Sequence, residues 1–270
     1  MITAETIMTR KSVRTYDGRP IKPQTMEAIR AFAEGIQTPF DIPVGFVFLD
    51  PKEQGLSSPV LTGETMYVAG KVGKVPYGDV AFGFAMEHLL LYAWSLGVGS
   101  VWIGGTMKRE LFEAAAGLAE GERMPCVSPL GYPAAKRSLR ETVMRRGVGA
   151  DSRLSGEKLF FDGSFDAPLT GKALEPWNDL LELVRWAPSA VNKQPWRVVL
   201  KDGQFHFYLK HDRGYVSEAV GDMQKIDVGI ALCHFVLGAR IRGRDAAVTV
   251  ADPGMEVPSG TEYIASVSVE

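Results

Sequence analysis

Cysteine and histidine are both scarce in this sequence. The two cysteines, Cys126 and Cys233, do not belong to a CxxC pair, and the four histidines show no HExxH or comparable ligand spacing. A disulfide scaffold and a thiolate zinc site are therefore excluded, and the sequence predicts no metal site. Such cysteine usage is typical of a protein from a reducing compartment.

The sequence also lacks an excess of charge of one sign and a long uninterrupted apolar run. Lys plus Arg number 30 against 32 for Asp plus Glu, a net charge of -2, so we expect no nucleic-acid partner. The first residues carry charges and no apolar h-region, which predicts no signal peptide. Residues 80–101 are apolar but contain Glu87, His88 and glycines, and they are interpreted as a buried helix followed by a strand. We therefore expect a cytoplasmic protein with no membrane association.

What remains is an average globular composition, with 46% hydrophobic and 23% charged residues in 270, enough for one or two domains. The chain also repeats itself at an offset of 146 residues, where 81–97 resembles 227–243 and both segments have helical apolar spacing. The matched pairs are Gly83 and Gly229, Ala85 and Ala231, His88 and His234, Leu91 and Leu237, Ala93 and Ala239, and Gly97 and Gly243. The last pair predicts a glycine C′ residue at the end of each helix.

Flanking segments support the repeat at a similar offset. Tyr16-Asp17-Gly18 corresponds to Phe161-Asp162-Gly163. Helical patterns over 26–33 and 177–184 and strand-like runs over 46–50 and 197–201 also correspond. The sequence thus predicts an α+β duplication, with one repeat in 1–150, a second in 151–270 and a join within 145–156. The two repeats are expected to pack about a pseudo-twofold axis through the long helices. A chance likeness between two buried helices is the alternative.

Two segments carry polar groups suited to a ligand. The first, Arg10-Lys11-Ser12-Val13-Arg14, places three cations beside a hydroxyl donor, a combination that suits phosphate oxygens, although a solvated helix end is the alternative. The second is the stretch 187–196, Ala-Pro-Ser-Ala-Val-Asn-Lys-Gln-Pro-Trp. Its amides and hydroxyl could bind the edge of a heterocycle, whereas Pro and Asn alone would indicate a simple loop.

These segments, together with 83–105 ending in Val-Trp-Ile-Gly-Gly, resemble the FMN-dependent nitroreductase family, and in particular its tandem single-chain branch. The resemblance implies a three-layer α+β fold in which two repeats form an intramolecular pseudo-dimer around long central helices. In the family, each FMN site takes the Arg-x-Ser segment from one subunit and the Pro-Ser-x-x-Asn loop from the other. The two repeats of this chain are therefore expected to build one composite site.

By the same resemblance, individual residues acquire expected roles. Phosphate binding is expected from Arg10 and Ser12 with Lys136 or Arg137, and Lys11 is expected among the cofactor-binding residues. Arg14 would stabilise the reduced ring near N1 and the C2 carbonyl. The turn Ile103-Gly104-Gly105, before a helix predicted over 107–116 with Thr106 as its N-cap, would donate to N5 and O4. The loop contacts from the other repeat are expected at Pro188, Ser189, Ala190, Asn192 and Gln194. No side chain is expected to act as a proton donor, since the cofactor carries the chemistry.

The alignment also predicts that the twin site has been lost. Arg10, Ser12 and Arg14 fall on Ser155, Glu157 and Leu159, so a carboxylate replaces the phosphate-binding hydroxyl. Asn192 and Gln194 fall on Asp41 and Pro43.

The resemblance implies an NAD(P)H oxidoreductase that works by a ping-pong hydride transfer to a nitroaromatic, quinone-like or other electrophilic acceptor. A third glycine is missing after Gly97-x-Gly99, so no Rossmann domain for the nicotinamide is expected. We expect a monomer or weak homodimer. The alternative is a flavin-binding or degenerate member without enzymatic activity.

Overall fold

Two antiparallel sheets, one early and one late in the chain, enclose a pair of long helices. The computed structural model describes residues 1–136, 138–147, 149–150 and 152–270. The earlier elements are α1 (Ala4–Thr9), α2 (Pro23–Glu34), β1 (Val44–Leu49), α3 (Pro51–Gln54), β2 (Met66–Gly73), α4 (Gly78–Ser95), β3 (Gly99–Ser100), α5 (Arg109–Ala116), β4 (Glu122–Arg123), β5 (Val127–Gly131) and α6 (Leu139–Gly147). The later ones are β6 (Phe160–Asp162), α7 (Gly171–Leu174), α8 (Asn178–Arg185), β7 (Trp196–Lys201), β8 (Gln204–Lys210), β9 (Val216–Ser217), β10 (Gly221–Asp222), α9 (Met223–Ile241), β11 (Ala246–Thr249) and β12 (Thr261–Val269), with short 3₁₀ turns at Gly156–Lys158 and Ala190–Asn192.

The two sheets repeat one topology. The first has the order β1-β2-β5-β3, with β4 also beside β2, and the second has the order β11-β12-β8-β7-β6. Thus β7, β8, β12 and β11 follow the same antiparallel order as β1, β2, β5 and β3, and β6 adds a parallel edge strand. The predicted helices over 26–33 and 177–184 overlap α2 and α8, and the predicted strands overlap β1 and β7. The predicted α+β class is confirmed.

The main hydrophobic core lies between the sheets and contains α4 and α9. Alternation along β2 divides its side chains between two layers, with Val68 in the main core and Tyr67 in a smaller core beneath α5. From the second sheet, Phe205 and Phe207 enter the main core. Sheet, helix pair and sheet therefore form three layers.

The long helices cross where each has a glycine. A Cβ on Gly83 would overlap the carbonyl oxygen of Ile226, and a Cβ on Gly229 would overlap that of Val80. The contact is reciprocal, because each glycine meets the residue three positions before the other, as a twofold axis requires. The predicted C′ glycines are confirmed, since Gly97 and Gly243 have φ of 78° and 70°.

No helix in the described part of the chain is long and apolar enough to cross a membrane.

Candidate functional site

A cavity of about 820 Å³ lies where the two sheet units meet. Its wall combines the segment after α1, the turn after β3, the end of α6, the loop after α8 and the first turns of α9. The predicted site residues that line it are Arg10, Lys11, Ser12, Arg14, Ile103, Gly104, Gly105, Pro188, Ser189, Ala190 and Asn192. The structure thus brings together segments about 180 residues apart in sequence.

The amino-terminal segment is extended and anchored at both ends. A capping box at Thr3 starts α1, which ends at Thr9. The backbone then bridges to β3 at Ser12. Arg10, Lys11, Ser12 and Arg14 all line the cavity, while Val13 packs against Gly99.

The two arginines of this segment have buried nitrogen atoms without hydrogen-bond partners. These atoms are Nε and Nη2 of Arg10 and Nε of Arg14. The Arg10 side chain is only 4% exposed, so the alternative of a solvated helix end is wrong. Burial lowers the pKa of Arg14, and neighbouring cations lower it further against the opposing effect of Glu141. Buried donors of this kind suit an anionic ligand.

A buried carboxylate, Glu87, holds one side of the cavity wall in place. It accepts a hydrogen bond from Trp102 Nε1 at 2.9 Å and lies 3.7 Å from Arg10 Nη2. His234 Nε2 lies 3.2 Å from the same carboxylate, and His234 Nδ1 lies 2.9 Å from the Leu183 carbonyl oxygen. Burial alone would raise the pKa of Glu87, but Arg10, His234 and Trp102 outweigh it and hold the pKa below its ordinary value. Glu87 therefore orients Arg10 as an ionised partner.

The turn after β3 differs from its prediction. The helix α5 begins at Arg109 with Lys108 as its N-cap, so the predicted helix start at 107 and the Thr106 N-cap are wrong. The Thr106 carbonyl instead accepts from Ser58 Oγ at 2.6 Å, and the Arg109 guanidinium binds the Gly104 carbonyl. The turn is therefore not a helix N-terminus, and a helix dipole supplies no field there.

Within this turn the backbone of Ile103 is already paired. Its amide and carbonyl both bond to Val127, at 2.9 and 3.0 Å. The amides of Gly104 and Gly105 have no hydrogen bond to another residue in the described ranges. A Cβ at Gly105 would meet nothing within 4 Å, and one at Gly104 would lie 3.9 Å from Met223 Sδ. Protein packing leaves open space above both glycines.

The loop after α8 has a strained backbone. Val191, Asn192 and Gln194 have φ of 43°, 60° and 50°, a region that a β-branched residue such as Val191 rarely adopts. The Asn192 side chain donates to the Gly149 and Ser152 carbonyls, at 2.8 and 3.1 Å. The simple-loop alternative does not explain why this strain faces a cavity.

Gln194 does not line the cavity. It is 3% exposed, and its side chain accepts from the Leu154 amide at 2.8 Å and donates to the Asn192 carbonyl at 3.1 Å. Its amide group is used to tie the segment after α6 to the loop. The expected contact of Gln194 with a ligand is not supported. Arg137 lies outside the described residues.

Several cavity residues were missed by the sequence analysis. Among the described residues, three further cations line the cavity, Arg145, Arg153 and Arg213, as does one carboxyl group, that of Asp227. Arg145 is on α6, and Asp227 is buried on α9 with the Ala190 amide as a hydrogen-bond donor. The repeat offered a signal for Asp227, because its counterpart at offset 146 is Ala81. In the described part of the chain, no three acidic, His or Cys side chains are placed to hold a metal ion.

The counterpart of the cationic segment has a different environment. Leu159 is fully buried in the main core and Glu157 is exposed. On the other side, Asp41 has φ of 53° in a bend before β1. None of these residues lines the cavity described above.

The fold and cavity define a layered α+β protein with a cation-lined cleft between two repeated sheet units. The chain belongs to a family of oxidoreductases described as "Putative TM nitroreductase", whose model matches residues 3–239. It is accordingly an enzyme of the oxidoreductase class.

Solved structures agree with this fold. A "putative nitroreductase" from Thermotoga maritima is 20% identical, and the match covers 99% of this chain and 93% of that chain with a TM-score of 0.60. A "Putative NADH dehydrogenase/NAD(P)H nitroreductase" from Bacteroides thetaiotaomicron is 24% identical, and its match covers 50% of this chain and 88% of its own with a TM-score of 0.42. An "FMN-dependent Nitroreductase" from Clostridium difficile is 16% identical, with coverages of 49% and 88% and a TM-score of 0.43. No curated protein matches the chain.

Proposed function

We propose that this chain is an FMN-dependent NAD(P)H oxidoreductase of nitroreductase type with one composite FMN site. The observation that carries the proposal is that the cationic segment at 10–14 and the loop at 188–192 line one cavity. Each segment belongs to a different sheet unit. If the two motifs had no common role, there would be no physical reason for both to line the same cavity.

The residues present fit a flavin phosphate. Among the described residues, the Nε atoms of Arg10 and Arg14 are buried donors without a hydrogen-bond partner, and Ser12 adds a hydroxyl to the same cavity. We propose that Arg10, Lys11 and Ser12 bind the phosphate and that Arg14 stabilises negative charge on the ring system. Arg145 adds a cation to the same wall.

The turn after β3 and the loop after α8 would hold the ring. The amides of Gly104 and Gly105 are available as donors, and the open space above them allows a flat group to approach the backbone. Pro188, Ser189 and Ala190 would contact the cofactor from the second sheet unit. FMN, when bound, supplies the hydride-accepting and hydride-donating chemistry.

One cavity would serve both substrates. NADH or NADPH would bind first and leave, and a nitroaromatic, quinone-like or other electrophilic small molecule would then occupy the same space in a ping-pong cycle. We propose that the protein acts in the cytoplasm as a monomer or weak homodimer.

The test is reconstitution under anaerobic conditions. Purified protein is mixed with FMN, reduced with NADH or NADPH, and then mixed with a nitroaromatic while the flavin absorbance is recorded. We expect FMN to be retained on gel filtration, bleached by the nicotinamide and restored by the acceptor. A chain that takes up no FMN would contradict the proposal, and one that binds FMN without being reduced would be a flavin-binding protein instead.

A further inference from the structure

Asp227 lines the cavity beside the loop after α8, one of the segments proposed to hold the cofactor. Its carboxyl oxygens accept from the Ala190 amide at 3.0 and 3.2 Å, so it contacts the loop after α8. It lies one helical turn after Met223 on α9, and Met223 Sδ is the side-chain atom nearest to the space above Gly104. Asp227 is 4% exposed and lines the cavity.

The surroundings of this carboxyl group favour its neutral form. Burial raises the pKa of Asp227 well above the ordinary aspartate value, the Ala190 amide partly opposes this, and Asp222 on the same helix adds to it. Cys126, in the connection between β4 and β5, is a further titratable group that interacts with Asp227, and Cys126 also interacts with Arg109. No cation of the described chain forms an ion pair with Asp227.

The fold itself does not need a carboxyl group at this position. The counterpart of Asp227 in the first repeat is Ala81, which is fully buried on α4. The helix crossing at Gly83 and Gly229 forms with alanine on one side and aspartate on the other. Of these two helices, α9 carries the aspartate, and α9 lines the cavity that the cationic segment also lines.

We propose that Asp227 is the proton donor to the electron acceptor reduced in this cavity. The inference rests on the proposed oxidoreductase function and adds a residue to it. It also departs from the expectation that no side chain donates a proton. A neutral carboxyl group at the cavity wall, hydrogen-bonded by one backbone amide, retains an O–H group to donate.

The step balances for both acceptor classes. A quinone becomes a hydroquinone by gaining a hydride and one proton, and NAD(P)H is the source of the hydride. The O–H bond of Asp227 breaks as an O–H bond forms on the acceptor oxygen, which leaves a carboxylate that solvent reprotonates through the cavity mouth. A nitro group likewise gains a hydride and one proton and yields a nitroso group and water.

The variant Asp227→Asn tests this role while keeping the local structure. The asparagine carbonyl can still accept from the Ala190 amide, so only the transferable proton is lost. Prereduced, FMN-loaded wild type and variant are mixed in a stopped-flow instrument with a benzoquinone, a nitroaromatic or ferricyanide. Ferricyanide accepts electrons and needs no proton. We expect reoxidation by the quinone and nitroaromatic to slow roughly tenfold or more, with the ferricyanide rate retained.

One further readout, with a control variant, separates this inference from the proposed function. Infrared spectroscopy of the apoprotein should show a protonated carboxyl band near neutral pH that is missing in Asp227→Asn. Asp222→Asn is the control for loss of a buried carboxyl group that caps α9 through the Gln224 and Lys225 amides. The band should persist in it, because burial, and not Asp222, is the main cause of the raised pKa of Asp227.

The outcomes are distinct. Equal reoxidation rates in wild type and Asp227→Asn, equal slowing with ferricyanide, or no infrared band would overturn the inference alone. A wild type that binds no FMN would overturn the proposed function, and the proton-donor role with it.

Discussion

At the residue scale, the described part of the cavity wall contains both charged groups with protein partners and polar atoms without a hydrogen-bond partner. Glu87 is fully buried, yet Trp102 and Arg10 hold it ionised. Arg10 itself retains donor atoms that the protein does not use. Such donors are costly to bury, and a bound phosphate would recover about 1.5–3 kcal/mol per charge-assisted contact. If the proposed function holds, binding of FMN would therefore stabilise the cavity wall.

The raised pKa of Asp227 predicts a pH-dependent stability. In the folded chain the carboxyl group keeps its proton to a higher pH than in the unfolded chain, so its contribution is full below the unfolded pKa and is lost as pH rises towards the folded pKa. Asp227→Asn has no such loss. At a pH between the unfolded and the folded pKa, the free energy of unfolding of wild type should fall relative to that of Asp227→Asn by about 1.4 kcal/mol for each unit of pH increase.

Urea denaturation of both apoproteins at about pH 5, 6 and 7 measures this difference. Glu87→Gln is an informative comparison, because the pKa of Glu87 is shifted in the opposite direction. Because its pKa is lowered, the contribution of Glu87 is complete above the ordinary glutamate pKa and is lost only at more acid pH, so the difference between Glu87→Gln and wild type should stay constant over this range. A difference between Asp227→Asn and wild type that does not change with pH would contradict the assignment.

At the element scale, the crossing of α4 and α9 sets the position of the cavity. α9 begins with the wall residues Met223 and Asp227 and then crosses α4 at Gly229. Since the two backbones touch, no side chain can be added at the crossing without moving one helix. The distance between the two walls of the cavity depends on this contact.

Gly229→Ala is therefore expected to destabilise the protein, because its Cβ would overlap the Val80 carbonyl oxygen. Overpacking of this kind costs about 3 kcal/mol at the upper end of its range. Such a loss lowers the melting temperature by roughly 6–12 °C. Gly147→Ala on α6 is the control, since a Cβ there meets nothing within 4 Å. Differential scanning fluorimetry compares the two, and equal melting temperatures would show that the helices can separate at little cost.

The elements were largely predictable because the repeat supplied two readings of each. The C′ glycines followed from matching Gly97 with Gly243, whereas the contact made by Gly83 and Gly229 at the helix crossing was not predicted. The start of α5 was not predictable in this way. Thr106 is a good N-cap by local preference, but its carbonyl is bonded to Ser58 from a distant segment. The tertiary contact with Ser58 therefore outweighs the local preference of Thr106 for an N-cap position.

The site was predictable where chemistry is concentrated in short segments and not elsewhere. Arg10, Ser12 and the loop at 188–192 stand out as polar clusters. Asp227 and Arg145 are single residues within helices, where only the packing shows that they face a cavity. Gln194 has an amide group suited to binding a ligand, but its side-chain oxygen accepts a hydrogen bond from the Leu154 amide instead.

At the scale of the whole molecule, the two repeats share a topology but contribute different segments to the cavity. The sheets are arranged alike, yet the connection from β8 to α9 spans 211–222 and forms the hairpin of β9 and β10, whereas that from β2 to α4 spans only 74–77. The longer connection adds Arg213, Tyr215 and Val220 to the cavity. The two sides of the pseudo-twofold axis have therefore diverged in shape as well as in charge.

This division predicts one FMN per chain, bound by both repeats. Titration of apoprotein with FMN by calorimetry should give a stoichiometry of one, because the segment equivalent to Arg10–Arg14 carries Glu157 and the core residue Leu159. Arg10→Ala and Asn192→Gly should each weaken binding tenfold or more, although they lie about 180 residues apart. Glycine is chosen at position 192 because it tolerates the φ of 60° there and so removes only the side chain.

Asp41→Ala is the control for this experiment, because Asp41 is the counterpart of Asn192 on the other side of the pseudo-twofold axis. If only one composite site persists, its removal leaves both affinity and stoichiometry unchanged, since Asp41 does not line the cavity. A stoichiometry of two, or a loss of affinity on Asp41→Ala equal to that on Asn192→Gly, would mean that both sites survive.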